Sequence, residues 1–580
     1  MGAPPHSALL LLAGCHLLCF GTAHDAHGPV VQTPMGAVRG STMPSRSGDT
    51  IYAFRGMRYA KPPVGELRFK PPVPARDRWQ GVKNATEDAV ACHQAGNFIG
   101  GPTNEDCLFI NVYTKRIPNR ESRPRTPVLF FIHHGAWFSS SGQSNVVGPR
   151  YLMDEDIVLV TFNYRLGALG FLSTGDSVVP GNNGLKDQLL ALKWVHENIE
   201  SFGGDPNQVT IYGYSAGSAS VQFLMASPRA AGLFHRAISS SGSALSGYAI
   251  ARDPMKYVRR QAEIMNCPHD ERASATQMVE CLRGKDAEEL SQTYFQHVEW
   301  MNDPGVIFAP VIESVGSSDE PLITEEPEIL FQTGNYAQVP WLTGTTNNEM
   351  MEKAAAILQN ETLFEDFAEN FERVAPISLY YERGSASSLR KSRRLKDFYF
   401  PNGRITKDSF QHITDLYTDG VFLHGADRSV KLISSSSRSP VYYYQYTYRG
   451  RFGHMPLEPG MDKPRGAVHH DDLIHVFWGS DIFPFFDDTY PEAVTSKRLV
   501  RMWANFARTG NPTPETGSSH DGLVSVNWLP FTPSGLAYLD IGDELVMQRA
   551  LRQERAAVWE DIYPLRRAPN NRRSSTNRKH

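Results

Sequence analysis

The sequence predicts an α/β protein built on a large, mostly parallel central sheet flanked by helices. Three observations carry this. The runs VLFFI (Val128 to Ile132), IVLVTF (Ile157 to Phe162) and VTIY (Val209 to Tyr212) are continuously apolar or β-branched, as strands buried on both faces are. Helical patterns separate them, above all Leu185 to Ile199, where Leu185, Leu189, Leu192, Val195 and Ile199 fall on one face. The third run stops at Gly213-Tyr214-Ser215-Ala216-Gly217, and apolar residues at helical spacing, Ala219, Phe223 and Leu224, follow at once. Strands alternating with helices are the signature of a parallel sheet with both faces covered.

The 580 residues, 41% hydrophobic and 21% charged, are those of an ordinary globular protein with room for a large core. A formal net charge of -4 is small for this length, so nothing draws the whole chain to nucleic acid or to an anionic membrane surface. The N-terminus differs from the rest. Ala8 to Phe20 (ALLLLAGCHLLCF) is mostly apolar, and Gly21-Thr22-Ala23 supplies small residues for cleavage. Residues 1–23 read as a secretory signal peptide, too short to span a bilayer. No later stretch is a membrane-span candidate, so a secreted, extracellular chain without a stable membrane anchor is expected.

Cys15 and Cys19 leave with the leader. Cys92, Cys107, Cys267 and Cys281 remain, and four cysteines allow three pairings. Pairing of neighbours would close two short loops, each worth roughly 3 kcal/mol in the chain-entropy model. The spacings are not those of a C-x-x-C zinc site, and no metal is expected. Asn84-Ala85-Thr86 and Asn360-Glu361-Thr362 are glycosylation acceptors in a secreted chain, whereas Asn511-Pro512-Thr513 is blocked by its proline.

Residues 24–50 are polar, with short strand-like pieces such as VRG. From Phe54 the text FRGMRYAKPPVGELRF reads as ordered loop, because Pro62 and Pro63 forbid helix. Leu108 to Tyr113 alternates toward a strand. After the three buried runs, Arg236 to Ser240 is another strand. Residues 250–440 are mostly helical and polar, interrupted by a strand at Val339 to Thr343 (VPWLT). The stretch after Glu349, MMEKAAAILQ, is rich in strong helix formers. Val441 to Tyr446 (VYYYQY) is an aromatic strand. Lys497 to Ala507 closes the domain as a helix with Leu499, Met502, Trp503 and Phe506 on one face. After Pro564 come Arg566, Arg567, Arg572, Arg573, Arg578 and Lys579 with no acid, so 564–580 is expected to be a disordered basic tail and 24–563 one domain.

A serine between two glycines, at the apex of a strand-to-helix turn, is a nucleophile elbow. The backbone there is strained, the flanking positions 213 and 217 must be small, and the helix N-terminus aims N–H groups at whatever bonds to the serine. A serine hydroxyl needs a base, and the base needs an acid. In the stretch GAVHHDDLIHVFW, His469 follows a short loop, with His470 and His475 as rivals. Glu349 stands just past the strand ending at Thr343, and open α/β sheets build their sites at the carboxyl ends of their strands. Donors for a developing oxyanion come from Ala216 and from the turn His133-His134-Gly135-Ala136-Trp137 after an early strand.

Four stretches, FRGMRYAKPPVGELRF, EDCLFINVY, FNYRLGALGFL and GNNGLKDQLLALKWVHENIESFGGDPNQVTIYGYSAGS, resemble the type-B carboxylesterases, the carboxylesterase/cholinesterase branch of the α/β-hydrolases. The resemblance runs from about residue 28 to 563. It implies the α/β-hydrolase fold, with Ser215 as nucleophile, Glu349 as acid and His469 as base. It likewise implies Gly135, Ala136 and Ala216 as oxyanion hole, Ser241 as a serine close to the histidine, and the disulfides Cys92–Cys107 and Cys267–Cys281. Three positions depart from the family pattern. His134 stands where a glycine is usual, and Tyr214 where Glu or Gln often precedes the nucleophile. Residues 93–106 hold no tryptophan to cup a choline cation. The expectation is a secreted serine esterase acting on small-molecule esters without a cofactor. A cholinesterase-like adhesion or binding protein and an interfacial lipase are the other readings. Nothing in the sequence speaks to oligomeric state.

Overall fold

In a computed structural model the described residues are 28–96, 98–119, 121–455, 465–480, 482–515 and 522–566. The signal peptide and the tail beyond 566 lie outside them. The two neighbour disulfides, Cys92–Cys107 and Cys267–Cys281, are formed.

An 11-stranded sheet organises the molecule. In chain order its strands are β1 (Ser41–Pro44), β2 (Thr50–Arg58), β3 (Phe109–Thr114), β4 (Thr126–Ile132), β5 (Val158–Phe162), β6 (Gly204–Tyr214), β7 (Arg236–Ser240), β8 (Trp341–Thr346), β9 (Val441–Tyr446), β10 (Ala537–Ile541) and β11 (Leu545–Arg549). Their spatial order is β11-β10-β9-β8-β7-β6-β4-β5-β3-β2-β1. From β5 across to β10 all pairs are parallel, and the strands outside that block pair antiparallel.

The apolar runs are continuous because each face of the sheet has its own core. Val128, Phe130 and Ile132 of β4 point into one cluster, Leu129 and Phe131 into the other. On β6, Val209 and Ile211 join the first cluster, Tyr212 and Tyr214 the second. Period-two alternation thus distributes one strand between two helical layers. The helix Asn183–Asn198 covers one face through Leu185, Leu189, Leu192 and Val195, and Glu492–Thr509 covers the other through Leu499, Met502, Trp503 and Phe506.

Two expectations needed correction. Phe54 to Arg58 is not loop but the second half of β2, paired antiparallel to β3. A proline restricts itself and the residue before it, so Pro62 and Pro63 have no hold on Phe54 to Arg58. The register slips between Phe54 and Met57, where Gly56 is left-handed and its N–H donates to Asn111 Oδ1 at 2.8 Å. The tail is not free from its first residue. Arg566 pairs with Glu326 at 2.7 Å and lies 3.9 Å from Glu328.

Candidate active site

The carboxyl ends of β4, β6, β7 and β8 lie in register, so the turns that leave them meet. Gly213 faces Ile132 across one ladder, and Ser240 faces Tyr214 on one side and Gly344 on the other. Ser215 sits just past β6 with φ 56° and ψ -120°, opening the helix Ala216–Ala226. Its N–H donates to Ser240 O at 2.9 Å, tying the apex to β7. The two motif glycines are sterically required. A Cβ on Gly213 would lie 2.0 Å from Gly217 O, and one on Gly217 would lie 2.1 Å from Ile132 O.

Glu349 leaves β8 in a tight turn, and its Oε1 accepts the Thr346 N–H at 2.8 Å. Its Oε2 lies 2.6 Å from His469 Nδ1, and His469 Nε2 lies 2.9 Å from Ser215 Oγ. The acid turn and the histidine loop are laced together. His469 N donates to Glu349 O at 3.1 Å, Asn348 N to Ala467 O at 3.0 Å, and Ala467 N to Asn347 Oδ1 at 2.9 Å. Gly466 leaves room for the Asn348 side chain, whose Nδ2 would lie 2.2 Å from a Cβ there. The ring of Phe422, on a π-helical turn Asp419–Leu423, stacks on the His469 ring at 4.4 Å.

The rivals of His469 do not reach Ser215 Oγ. His475 is buried with Nδ1 2.9 Å from Asp471 O and 3.1 Å from the Tyr446 hydroxyl. His470, left-handed at φ 77°, turns its ring against His134 at 4.6 Å and His454 at 5.3 Å. Burial holds the His470 and His134 imidazoles well below the usual histidine range, with neighbouring imidazoles adding to the effect. Both are therefore neutral neighbours of the dyad.

The turn after β4 bends through three left-handed residues, Gly135 (φ 102°), Ala136 (φ 51°) and Trp137 (φ 57°). His134 is not among them, so the glycine usual at that position is not demanded by the backbone here. The demand falls on Gly135, whose Cβ would meet Ser139 O at 2.2 Å. Trp137 fixes the turn to the elbow helix, its Nε1 donating to Ser220 Oγ at 3.0 Å. Gly135, Ala136, Ser215, Ala216 and His469 line one cavity of about 250 Å³. A larger groove of about 760 Å³, around Pro71, Arg76 and Lys193, contains none of them.

The second departure has a structural counterpart. The Tyr214 hydroxyl donates to Asp472 Oδ1 at 2.6 Å and accepts the His470 N–H at 2.9 Å. The Tyr444 hydroxyl lies 3.0 Å from Asp472 Oδ2. Burial pushes the Asp472 carboxyl up to about 6, with the nearby Glu349 charge adding to the rise and the tyrosine bonds opposing it. Ser241 is fully buried and left-handed at φ 52°. Its N–H donates to Gly344 O at 2.8 Å, and its hydroxyl makes no hydrogen bond to His469.

A hydroxyl, an imidazole and a carboxylate in line, beside strained N–H groups at a helix N-terminus, can add the hydroxyl to a carbonyl and hold the resulting oxyanion. Comparison with known proteins agrees. The carboxylesterase family's sequence model matches residues 27–559. This chain belongs to the carboxylesterase family. It is 36% identical over 541 residues to the juvenile hormone esterase of Tribolium castaneum, covering 90% of each chain. It is 35% identical over 499 residues to venom carboxylesterase-6 of Apis mellifera, covering 84% of this chain and 87% of the relative. Against esterase FE4 of Myzus persicae it is 34% identical over 533 residues, covering 90% and 89%. Ester hydrolysis is the activity of this carboxylesterase.

Sequence reasoning missed Phe422, Asp472 and Tyr444. Asp472 had a weak signal in the run His469-His470-Asp471-Asp472; Phe422 had none, because its link to His469 exists only in three dimensions. Asn84 and Asn360 are exposed, and Asn360 caps the helix Glu361–Glu369 by accepting the Leu363 N–H at 3.1 Å. Among the described residues no three His, Cys, Asp or Glu side chains are grouped to hold a metal ion, and no helix is long and apolar enough to cross a membrane.

Proposed function

We propose that Ser215 is the nucleophile, His469 the general base and Glu349 the residue that orients and stabilises the imidazolium. The observation that carries this is the unbroken line Glu349 Oε2, His469 Nδ1, His469 Nε2, Ser215 Oγ, with contacts of 2.6 and 2.9 Å. His469 Nε2 takes the Ser215 proton as Oγ bonds to the ester carbonyl carbon. The N–H groups of Gly135, Ala136 and Ala216 receive the oxyanion. His469 then returns the proton to the departing alcohol, the acyl group stays on Ser215, and a water activated by the same imidazole releases the acid. The substrates are small esters that enter the cavity. Tyr214 acts through the loop, by holding the His470 backbone beside the base.

The protein is proposed to be secreted after removal of 1–23, with its two disulfides formed in an oxidising compartment and Asn84 and Asn360 glycosylated. Residues 24–563 act as one catalytic domain followed by a basic tail. A fluorophosphonate probe should label Ser215 and stop hydrolysis of a nitrophenyl ester. Ser215→Ala should abolish labelling and lower kcat by on the order of 10⁶-fold. Turnover by the alanine variant at the parent rate would refute the assignment.

A further inference from the structure

The cavity that holds Ser215 is apolar on one part of its lining, with Phe138, Val306, Met350, Val421 and Phe422. The same cavity is also lined by Lys353 and Asp303. Their side chains are only 6% and 7% exposed, and Lys353 Nζ is ion-paired with Asp303 Oδ2. The Ser378 hydroxyl donates to that same carboxylate oxygen. Lys353 Nζ is 3.4 Å from Asn302 Oδ1 and 5.0 Å from the centre of the Tyr417 ring. The Tyr417 hydroxyl is buried without a hydrogen-bond partner.

Two charges taken out of water cost several kcal/mol each, and their attraction repays this only when their hydrogen-bonding capacity is filled. Here it is not filled, because both protein donors to Asp303 converge on Oδ2 and the Tyr417 hydroxyl is idle. A plain alkyl chain entering the cavity would drive water from this wall and return nothing. A chain with a neutral hydroxyl or carbonyl would replace the lost bonds. The pair carries no net charge, so a charged chain would be repelled by one partner as it is attracted by the other. Buried groups left unpaired are what makes a polar site reject an apolar isostere.

We propose that Lys353 and Asp303, with Tyr417, select esters whose chain carries a neutral hydrogen-bonding oxygen away from the scissile bond. The inference rests on the hydrolase assignment above and names the substrate class of the same site. The alternative role for the pair is structural, clamping the segment at 302–303 to the helix Met351–Gln359.

The test compares isosteric esters that differ by a terminal hydroxyl in place of a methyl group. One series varies the acyl side, with nitrophenyl heptanoate against its hydroxyl-terminated isostere. The other varies the alcohol side, with heptyl acetate against hexanediol monoacetate. The parent should prefer the hydroxyl-bearing ester in one series by about 10-fold or more in kcat/KM. In the double variant Lys353→Met/Asp303→Leu that ratio should fall to about one or reverse, while a fluorophosphonate still labels Ser215. Should the double variant fail to fold, Tyr417→Phe removes only a hydroxyl and should lower the ratio by several-fold. A parent that prefers alkyl chains in both series overturns the proposal. So does a ratio unchanged in folded variants, since a clamp with no part in selection would leave it where it was. Absence of labelling in the parent itself would instead overturn the hydrolase assignment, and the inference with it.

Discussion

The elbow and the cavity wall are built in opposite ways. The elbow comes from one continuous stretch, β6 into the helix Ala216–Ala226, and its tight turn requires the glycines at 213 and 217. The wall is assembled from scattered places: Asn302 and Asp303, Met350 and Lys353, Ser378 and Tyr380, Tyr417, then Val421 and Phe422. A Cβ added at either elbow glycine would lie 2.0 or 2.1 Å from main-chain oxygen, well inside van der Waals contact, whereas the wall consists of side chains on helices and loops. Chemistry is therefore held by backbone register, and selectivity by tertiary packing. Changes on the elbow side should act on kcat, and changes in the wall on the ratio between substrates.

The largest effect that would break this contrast concerns two adjacent histidines. His469 bridges Glu349 and Ser215, whereas His470 packs its ring against those of His134 and His454. His469→Gln should lower kcat/KM by on the order of 10⁴-fold, and His470→Gln by less than about tenfold. Steady-state hydrolysis of a soluble nitrophenyl ester checks both. A reversed order would move the base from the elbow-facing side of the loop to the wall.

The oxyanion turn gives the next largest. What counts at position 136 is a backbone N–H, not a methyl group. Ala136→Gly keeps the donor and should change kcat modestly. Ala136→Pro removes it, at roughly 10²- to 10³-fold in kcat. Proline also perturbs the turn, so thermal melting and Ser215 labelling must accompany the rates. A folded proline variant with near-parent kcat would place the oxyanion on other donors.

The same contrast explains what the sequence made legible. Ser215 could be read from residues 209–224 because strand, motif and helix are local. The runs that became β4, β5 and β6 were visible because both faces of each are buried. Glu349 and His469 could not be singled out among many carboxylates and 19 histidines by spacing alone; resemblance chose them, and the laced loops 346–349 and 466–469 show why they meet. β10 and β11 escaped notice because AYLDI and LVMQR are short, and Asp540, Gln548 and Arg549 interrupt their apolar residues. The Lys353–Asp303 pair was unreadable for a deeper reason. Its partners are separated by 50 residues, and nothing local distinguishes a buried lysine from a solvated one.

The smallest effect tests the seam between the two regions. Asp472 receives the Tyr214 hydroxyl from the elbow strand and lies beside Tyr444 of β9, in the segment that carries His469. Burial raises its carboxyl to about 6, against an unfolded value of about 3.9. Below about pH 4 both states are protonated, and the native carboxylic acid adds no penalty. As pH rises from about 4 to about 6, the unfolded chain releases its proton while the native chain keeps it, so stability falls through that window and stays lower above it. Asn at this position cannot ionise, and its amide can still accept from one tyrosine and donate to the other. Asp472→Asn should therefore gain stability relative to the parent as pH rises from about 4 to about 7, by an amount approaching 3 kcal/mol at most, and its Tm should rise relative to the parent's over the same range. Titratable groups remote from Asp472 are common to both proteins and cancel in the difference. Paired melting curves across that range decide the matter. A difference that stays flat would mean that Asp472 titrates as an ordinary carboxylate. The seam would then be held by a charge-assisted bond from Tyr214 rather than by a proton kept inside the fold.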